Sequence, residues 1–488
     1  MKVKSIPRHI SQLLEFESSQ KAVFDAKFRN TSISIWPQLR TQLWVEMSQA
    51  EFPLDVKYCR LSTREKYMEL FNNLIGRKIH SKRVLKKSDV LFVVSGRTLI
   101  KEKSLHSNWL INHLSHELDS RYILHVGRPL GVEFTRSSKP DKIVYLSIYF
   151  SSILASVLRR FAPSRHFVEL DNHVDDVCNY FKSLLTDESV TRIKESMHTF
   201  HFKSKIELKL WSRILKKVDP RMVVIEDASY GSMSILVQLA KAKQIIVVEP
   251  QHGWIGAAHG SYNYGKYLLQ EHNYFLPDHL LTFGNYWKFG INHSAIVTPI
   301  GKPALGNTGH LRNTSDEKKV ALCVSSGGDL ERFVNLVIDI SEKTKDLGIE
   351  VILRLHPSEV NQFYDSTELS LRKYRANLDT NFDVYETLAK ATWVIATTST
   401  ILFESLVFGA KPIVLQSNLS RFYCDPSFMR IVHDSDELFQ SLSKPQDAQL
   451  SAEQVNEIWA DGTAFRVREF YKETLPSLSS GKVEVDKR

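Results

Sequence analysis

The strongest constraint on this chain is a recurring pattern: a short apolar run that stops at small or polar residues and is followed by a helical stretch. Residues 89–95 (Asp-Val-Leu-Phe-Val-Val-Ser) open the series, and residues 121–126, 142–146, 222–226, 245–249 and 279–283 continue it as strands. Helical spacing fills 175–217 and 232–241 between them. After residues 301–316, rich in Gly, Asn and Ser, a second series begins. Its expected strands are 319–324, 349–355, 392–396 and 412–415, and its expected helices 330–345, 384–390 and 400–408. Strands separated by helices need crossover connections, hence parallel sheets covered by helices on both faces. The expected fold class is therefore α/β, with two doubly wound domains facing each other across a cleft.

The chain has 488 residues, enough for several sizeable cores. At 43% apolar and 24% charged residues it is neither low-complexity nor largely disordered. Residues 1–85 carry helical spacing without strands, at Ile10, Leu13, Leu14 and Phe16, at Trp36, Leu39, Leu43 and Trp44, and at Tyr67, Leu70, Phe71 and Leu74. The expected organisation is a helical N-terminal appendage (1–85), a first Rossmann-like domain (86–300), a second Rossmann-like domain (301–450) and a C-terminal helix with a loose tail (451–488). The amphipathic segment 452–472 is expected to pack back across both domains.

Cys59, Cys178, Cys323 and Cys424 are far apart, which indicates neither a disulfide scaffold nor a structural zinc site. The N-terminus offers no apolar signal-peptide core, and the longest uncharged stretch, 143–158, has 16 residues where spanning a bilayer takes about 20. A cytoplasmic protein is expected, with that stretch read as a buried strand running into a helix. The balance of 64 Lys and Arg against 55 Asp and Glu points to an anionic partner. Basic groups in the N-terminal third, at 77–87 and at Arg159 and Arg160, suit an anionic membrane surface, which stands as a candidate partner. No nucleic-acid-binding motif accompanies the charge, so a nucleic-acid partner is not expected.

Ligands of doubly wound sheets bind beyond the carboxyl ends of the strands. In the second series those ends carry Ser325, Ser326 and Gly327 before a helix, Arg354 and His356 before a proline, and a hydroxyl run containing Thr398, Ser399 and Thr400 before the helix with Glu404. Free N–H groups and hydroxyls at helix starts suit phosphate, although the same hydroxyls also serve as caps. Together the three loops point to nucleotide binding. In the first series the strand ends bring Glu226, Asp227 and His252 towards the cleft as candidate bases, with His259 and Tyr262 lining the acceptor side. Helix capping and a turn role are the alternatives for the first three.

Several segments in order carry a family resemblance: Gln251-His-Gly, Leu281-Thr-Phe-Gly-Asn-Tyr-Trp287, Thr298-Pro-Ile-Gly-Lys-Pro303, Arg354-Leu-His-Pro, Thr398-Ser-Thr with Glu404, and Gly409-Ala-Lys-Pro412. Over about residues 220–420 the chain resembles bacterial capsule and O-antigen glycosyltransferases of the GT-B fold. It is more distantly similar to sialyltransferases, Kdo transferases and CDP-glycerol polyol-phosphate transferases. The resemblance implies transfer of a sugar from a nucleotide-activated donor to a glycan or lipid-linked glycan of the growing surface polysaccharide, with no metal and no further cofactor. It also implies that His356 contacts the donor phosphate, that Ser399 and Thr400 bind phosphate, and that Glu404 holds the ribose, with His252 as the first-domain histidine. Glu226-Asp227 is followed by Ala228, where the bacterial sialyltransferases have a glycine after two acidic residues. A CDP-alcohol-dependent polyol-phosphate transferase and a catalytically silent glycan-binding or assembly component are the alternatives.

Overall fold

The structure is a computed structural model that describes residues 6–52, 87–94, 99–102, 105–118, 123–127, 143–145, 148–306, 319–326, 329–356, 367–368, 371, 376–379, 381, 383–443 and 450–475. Its strands in chain order are β1 (Val90–Val94), β2 (Leu99–Glu102), β3 (Leu105–Asn108), β4 (Ile123–Gly127), β5 (Ile143–Tyr145), β6 (Met222–Ile225), β7 (Ile246–Pro250), β8 (His279–Thr282), β9 (Ile296–Pro299), β10 (Lys319–Val324), β11 (Ile349–Arg354), β12 (Asn377–Leu378), β13 (Trp393–Ala396), β14 (Lys411–Leu415) and β15 (Arg430–Val432). They fall into two compact units, one within residues 7–51, 60–303 and 462–488, the other within 1–6, 52–59 and 304–461.

The larger unit holds a seven-stranded sheet in the order β5-β4-β1-β6-β7-β8-β9, every neighbouring pair parallel. Alternation along the central strands sends residues into two cores. Leu91, Val93, Val223, Ile225 and Val247 join the core on one face. Val90, Phe92, Met222, Val224 and Val248 join the other. Burial on both faces is why these strands read as continuous apolar runs. The hairpin β2–β3 is antiparallel and was not legible as strand in the sequence.

The smaller unit holds six parallel strands in the order β12-β11-β10-β13-β14-β15. Counted in sequence order within each sheet, both start 3-2-1-4-5-6, the doubly wound order in which the strand direction of winding reverses between the first and fourth strands. These two switch points are β1/β6 and β10/β13. The α/β class with two doubly wound sheets is thus as expected.

Three boundaries differ from the expectation. The described part of the expected appendage is not separate, its end at 85 lying outside the described residues: the helices Arg8–Ser19 and Trp36–Glu51 place Leu13, Phe16, Trp36, Leu39, Leu43 and Met47 in the same core as the sheet and the helix Asp187–Val218. Their apolar faces need a partner, and the sheet's own helices supply it. The segment 452–472 is two helices, Ala452–Ile458 and Thr463–Thr474. After the first, Trp459 Nε1 donates to the Phe403 carbonyl at 2.9 Å within the smaller unit. The second buries Val467, Phe470 and Tyr471 with Val90, Phe92, Ile111 and Leu114 in the larger unit. Finally, the expected helix 400–408 is a single α-turn, Ile401–Glu404, tightening into a 3-10 turn, Ser405–Phe408. It ends at Gly409, whose φ of +74° is the left-handed conformation that glycine adopts at a helix end. The expected helix over 67–74 lies outside the described residues. Among the described residues, no helix is long and apolar enough to cross a membrane.

Candidate functional site

Each unit carries a polar cluster where its strands end. In the larger unit β6 runs out at Ile225, and a Tyr230 N–H to Asp227 carbonyl bond of 3.1 Å turns the chain. Glu226 is buried and accepts a short hydrogen bond from Asn108 Nδ2. Asn108 Oδ1 in turn caps the helix Trp109–His116 by accepting from the N–H groups of Leu110 and Ile111. Glu226 therefore braces a cap. Asp227, 4% exposed, has an Oδ1 with no hydrogen-bond partner among the described residues. Such an atom stays buried only at a cost, and functional sites are where costs of this kind accumulate.

Next to it stands a carboxylate absent from the expected set. Glu249, within the apolar run of β7, is 0% exposed. It accepts from the Ser229 N–H at 2.8 Å, from Ser229 Oγ, and from the Tyr262 hydroxyl at 3.0 Å. Burial pushes its pKa up to about 8, the three donors opposing and the Asp227 charge reinforcing. His293 Nδ1 accepts from the Ala295 N–H at 3.0 Å, which leaves the proton on Nε2, 3.2 Å from Ser229 Oγ. Burial first, and then the positive charges of Arg40 and Lys241, hold His293 down at about 3. Near neutral pH the chain His293, Ser229, Glu249, Tyr262 is therefore uncharged, with Ser229 donating to Glu249 Oε2 and the carboxyl proton on Oε1 shared with the Tyr262 oxygen. A carboxylate inside a strand buried on both faces was the signal available in the sequence, since it requires partners.

His252 follows β7 half-buried, its ring 5.7 Å from that of Tyr230. Gln251 of the same motif is a latch. Fully buried, it accepts from the Phe283 N–H at 2.8 Å and donates to the Gly253 carbonyl at 2.9 Å, tying the ends of β7 and β8 together. His259 Nδ1 accepts from the Ser261 N–H, so its Nε2 donates to the Tyr230 hydroxyl at 3.1 Å. Tyr262, expected on the acceptor side, is buried against Glu249 instead of lining a surface.

The N-terminal helices hold this loop. Arg40 pairs with Glu17 at 2.6 Å and donates to the Gly260 and Asn263 carbonyls at 2.5 Å each, its guanidinium 4.0 Å from the Tyr264 ring centroid. Glu17 also accepts from Trp36 Nε1 at 3.1 Å and from the Gly265 N–H at 2.9 Å. Both charges are buried and every oxygen of Glu17 is used, the condition under which a buried pair is tolerated. A side chain at 265 would put its Cβ 2.4 Å from Glu17 Cβ, so glycine is required for the close approach.

In the smaller unit the β10/β13 switch point is lined with hydroxyls. Ser326 Oγ lies 2.9 Å from Thr397 Oγ1, and Thr397 donates to Asp329 at 2.8 Å. The Ser326 N–H, expected to be open to a ligand, donates to Asp329 at 2.7 Å. Ser325 Oγ accepts from the His356 N–H at 2.9 Å, which couples the ends of β10 and β11, and His356 itself is exposed. Thr398, Ser399 and Thr400 are half-buried. Thr400 stands at the helix start without a side-chain cap bond, and Ser399 Oγ accepts from the Ile401 N–H at 3.4 Å. Arg354, expected as an electrostatic helper, pairs with Asp379 at 2.5 Å and donates to the Asn381 carbonyl at 3.1 Å. Thr387 completes that network on Asp379 at 2.9 Å. Glu404 is buried and bonded to the Tyr385 hydroxyl, whose pKa burial and Glu404 raise. Gly327 lies outside the described residues. The sheets define an α/β architecture, two doubly wound parallel sheets in one chain, each with a polar cluster at its strand ends.

No family model matches the sequence, and no curated protein matches it significantly. Solved structures do resemble it. The glycosyltransferase of kitacinnamycin is 15% identical, covering 80% of this chain and 100% of its own, with a TM-score of 0.46. The wall teichoic acid polymerase TagF, solved with CDPG, is 12% identical over 85% and 97%, with a TM-score of 0.43. The UDP-GlcNAc 2-epimerase of Methanocaldococcus jannaschii, in complex with UDP-GlcNAc and UDP, is 12% identical over 79% and 98%, with a TM-score of 0.41.

Proposed function

We propose that the protein is a glycosyltransferase that moves a sugar from a nucleotide-activated donor to a growing bacterial surface polysaccharide, of the capsule or O-antigen type, without a resident metal. The observation that carries the reading is the hydroxyl-lined switch point β10/β13, where Thr398, Ser399 and Thr400 follow one strand and Ser325 and Ser326 the other. The donor phosphates take the hydroxyls of Ser399 and Thr400 and the exposed His356.

In the transfer the acceptor oxygen bonds to the anomeric carbon. The bond from that carbon to the phosphate oxygen breaks, and its electron pair leaves with the nucleotide. The charge developing on the phosphate is met by His356 and by the hydroxyls. His252 takes the acceptor proton. It stands half-buried just after β7, its ring 5.7 Å from that of Tyr230. An imidazole is also suited to proton transfer near neutral pH. Asp227 and the neutral Glu249 chain fix the turn after β6 on which Tyr230 stands.

The test is turnover on nucleotide sugars with isolated surface glycan as acceptor, in the presence of EDTA. The expected result is a phosphate-free sugar added to the glycan, unaffected by EDTA and lost in His252→Ala and His356→Ala. A phosphorus-containing product from a CDP-alcohol would replace the glycosyl reading with polyol-phosphate transfer. Polysaccharide production unchanged in both variants would make the protein a silent assembly component.

A further inference from the structure

Outside both clusters, one surface stretch combines apolar exposure with a local excess of positive charge. Residues 157–168 read Val-Leu-Arg-Arg-Phe-Ala-Pro-Ser-Arg-His-Phe-Val, with three arginines and no carboxylate. They span the last turn of the helix Ile148–Phe161 and the 3-10 turn Ser164–His166. Phe161 is 84% exposed, Val168 52%, Val157 45% and Leu158 40%. Four large apolar side chains left in water within twelve residues mark an interaction surface.

The stretch is held firmly beneath. The helix buries Ala155, and Ser151 donates to Glu207 of the helix Asp187–Val218 at 2.7 Å. Farther along, the Phe167 ring stacks on His198 at 3.9 Å, and the His166 ring stacks on Phe202 at 5.8 Å. The exposed residues are therefore presented by a packed support.

The charge around them is positive. Arg160 and Arg165 are exposed, and Arg159 is shared with Glu195, donating to its carbonyl at 3.2 Å. Glu169 and Glu195 are the neighbouring exposed carboxylates, Glu195 lying 3.8 Å from Arg159, and Asp171 is taken up by His198 at 2.6 Å. Just inside, His201 has Lys205 Nζ 3.0 Å from its Nε2. Burial, followed by the charges of Lys205, His166, His198 and Arg29, pushes His201 down to about 4. A site where several cations gather beside exposed apolar groups attracts a surface that is both anionic and able to receive an aromatic ring. An anionic bilayer offers both, and stable attachment needs both together.

We propose that residues 157–168 attach the protein peripherally to an anionic lipid bilayer, Phe161 and its apolar neighbours entering the headgroup boundary and Arg160 and Arg165 meeting lipid phosphates. The attachment is independent of whether the strand-end clusters transfer a sugar.

The experiment is co-sedimentation of the full chain with vesicles of phosphatidylcholine, with and without phosphatidylglycerol, across a salt series. Binding is expected only with phosphatidylglycerol and is expected to weaken as salt rises. Arg160→Gln with Arg165→Gln should weaken it about 25-fold, from about fivefold per arginine. Phe161→Ser should weaken it about tenfold or more. All these side chains are exposed, so the melting midpoints of the variants should equal that of the parent, and a melt run beside each assay confirms it. The proposal is overturned if the parent stays in the supernatant, if it binds both vesicle types equally, or if folded variants bind as well as the parent. It is likewise overturned if the parent ignores vesicles and instead self-associates in a way that Phe161→Ser abolishes, which would make a second copy the occupant.

Discussion

Replacing Glu249 with Gln tests the neutral chain in the larger unit. The native carboxyl titrates at about 8 against an ordinary value of 4.5, burial being the main cause. Between those values the native state holds a proton that the unfolded chain has released, so stability falls as pH rises through this window and levels off above the native value. Each unit of pH is worth about 1.4 kcal/mol, so the loss from pH 5 to pH 8 amounts to about 4 kcal/mol. Glutamine keeps an acceptor for the Ser229 N–H and hydroxyl, can donate its amide to the Tyr262 oxygen, and does not titrate. The two proteins should be of similar stability at pH 5, and the Gln variant should be the more stable at pH 8 by roughly 4 kcal/mol. Urea denaturation of both proteins at pH 5, 6.5 and 8 measures this, and the difference between them cancels the groups they share. A difference that stays constant across the series would mean that Glu249 is ionised in the native protein throughout, and the neutral chain would be wrong.

Two further outcomes concern the helices that hold the 260–265 loop, with Gly348 in the smaller unit as the control for the first. Gly265→Ala sets a Cβ 2.4 Å from Glu17 Cβ and 2.6 Å from the Leu14 carbonyl oxygen, so it should cost about 3 kcal/mol in denaturant unfolding. Gly348→Ala, with nothing within 4 Å and a φ of +64°, should cost only about 1 kcal/mol. Arg40→Met leaves Glu17 buried without a counter-charge and should destabilise by about 3–5 kcal/mol, whereas Arg40→Met combined with Glu17→Leu should cost less than the single change. A double variant at least as unstable as Arg40→Met would show that the pair's charges are not what the loop depends on.

Much of the architecture was legible because strands buried on both faces are apolar throughout, and their breaks mark the carboxyl ends. Those breaks place Glu226, Asp227, His252, Ser325, Ser326 and His356 at strand ends. Roles were less legible, because they depend on partners distant in sequence. Arg354 is paired with Asp379, Glu404 with Tyr385, and Glu226 with Asn108, more than a hundred residues away. The N-terminal helices were visible in their spacing, but an amphipathic face does not say what covers it. Glu249 was hidden as the polar end of an apolar strand. β12 and β15, of two and three residues, are too short to leave a pattern.

If the β10/β13 switch point binds the donor, calorimetric titration with CMP, CDP, UDP and GDP detects it. At least one of them is expected to bind at a single site. The native state should be stabilised by about 2.7 kcal/mol at a hundredfold excess over Kd, and the affinity should fall about tenfold or more in Thr400→Val with Ser399→Ala. No binding by any nucleotide, or equal affinity in the folded double variant, would contradict it.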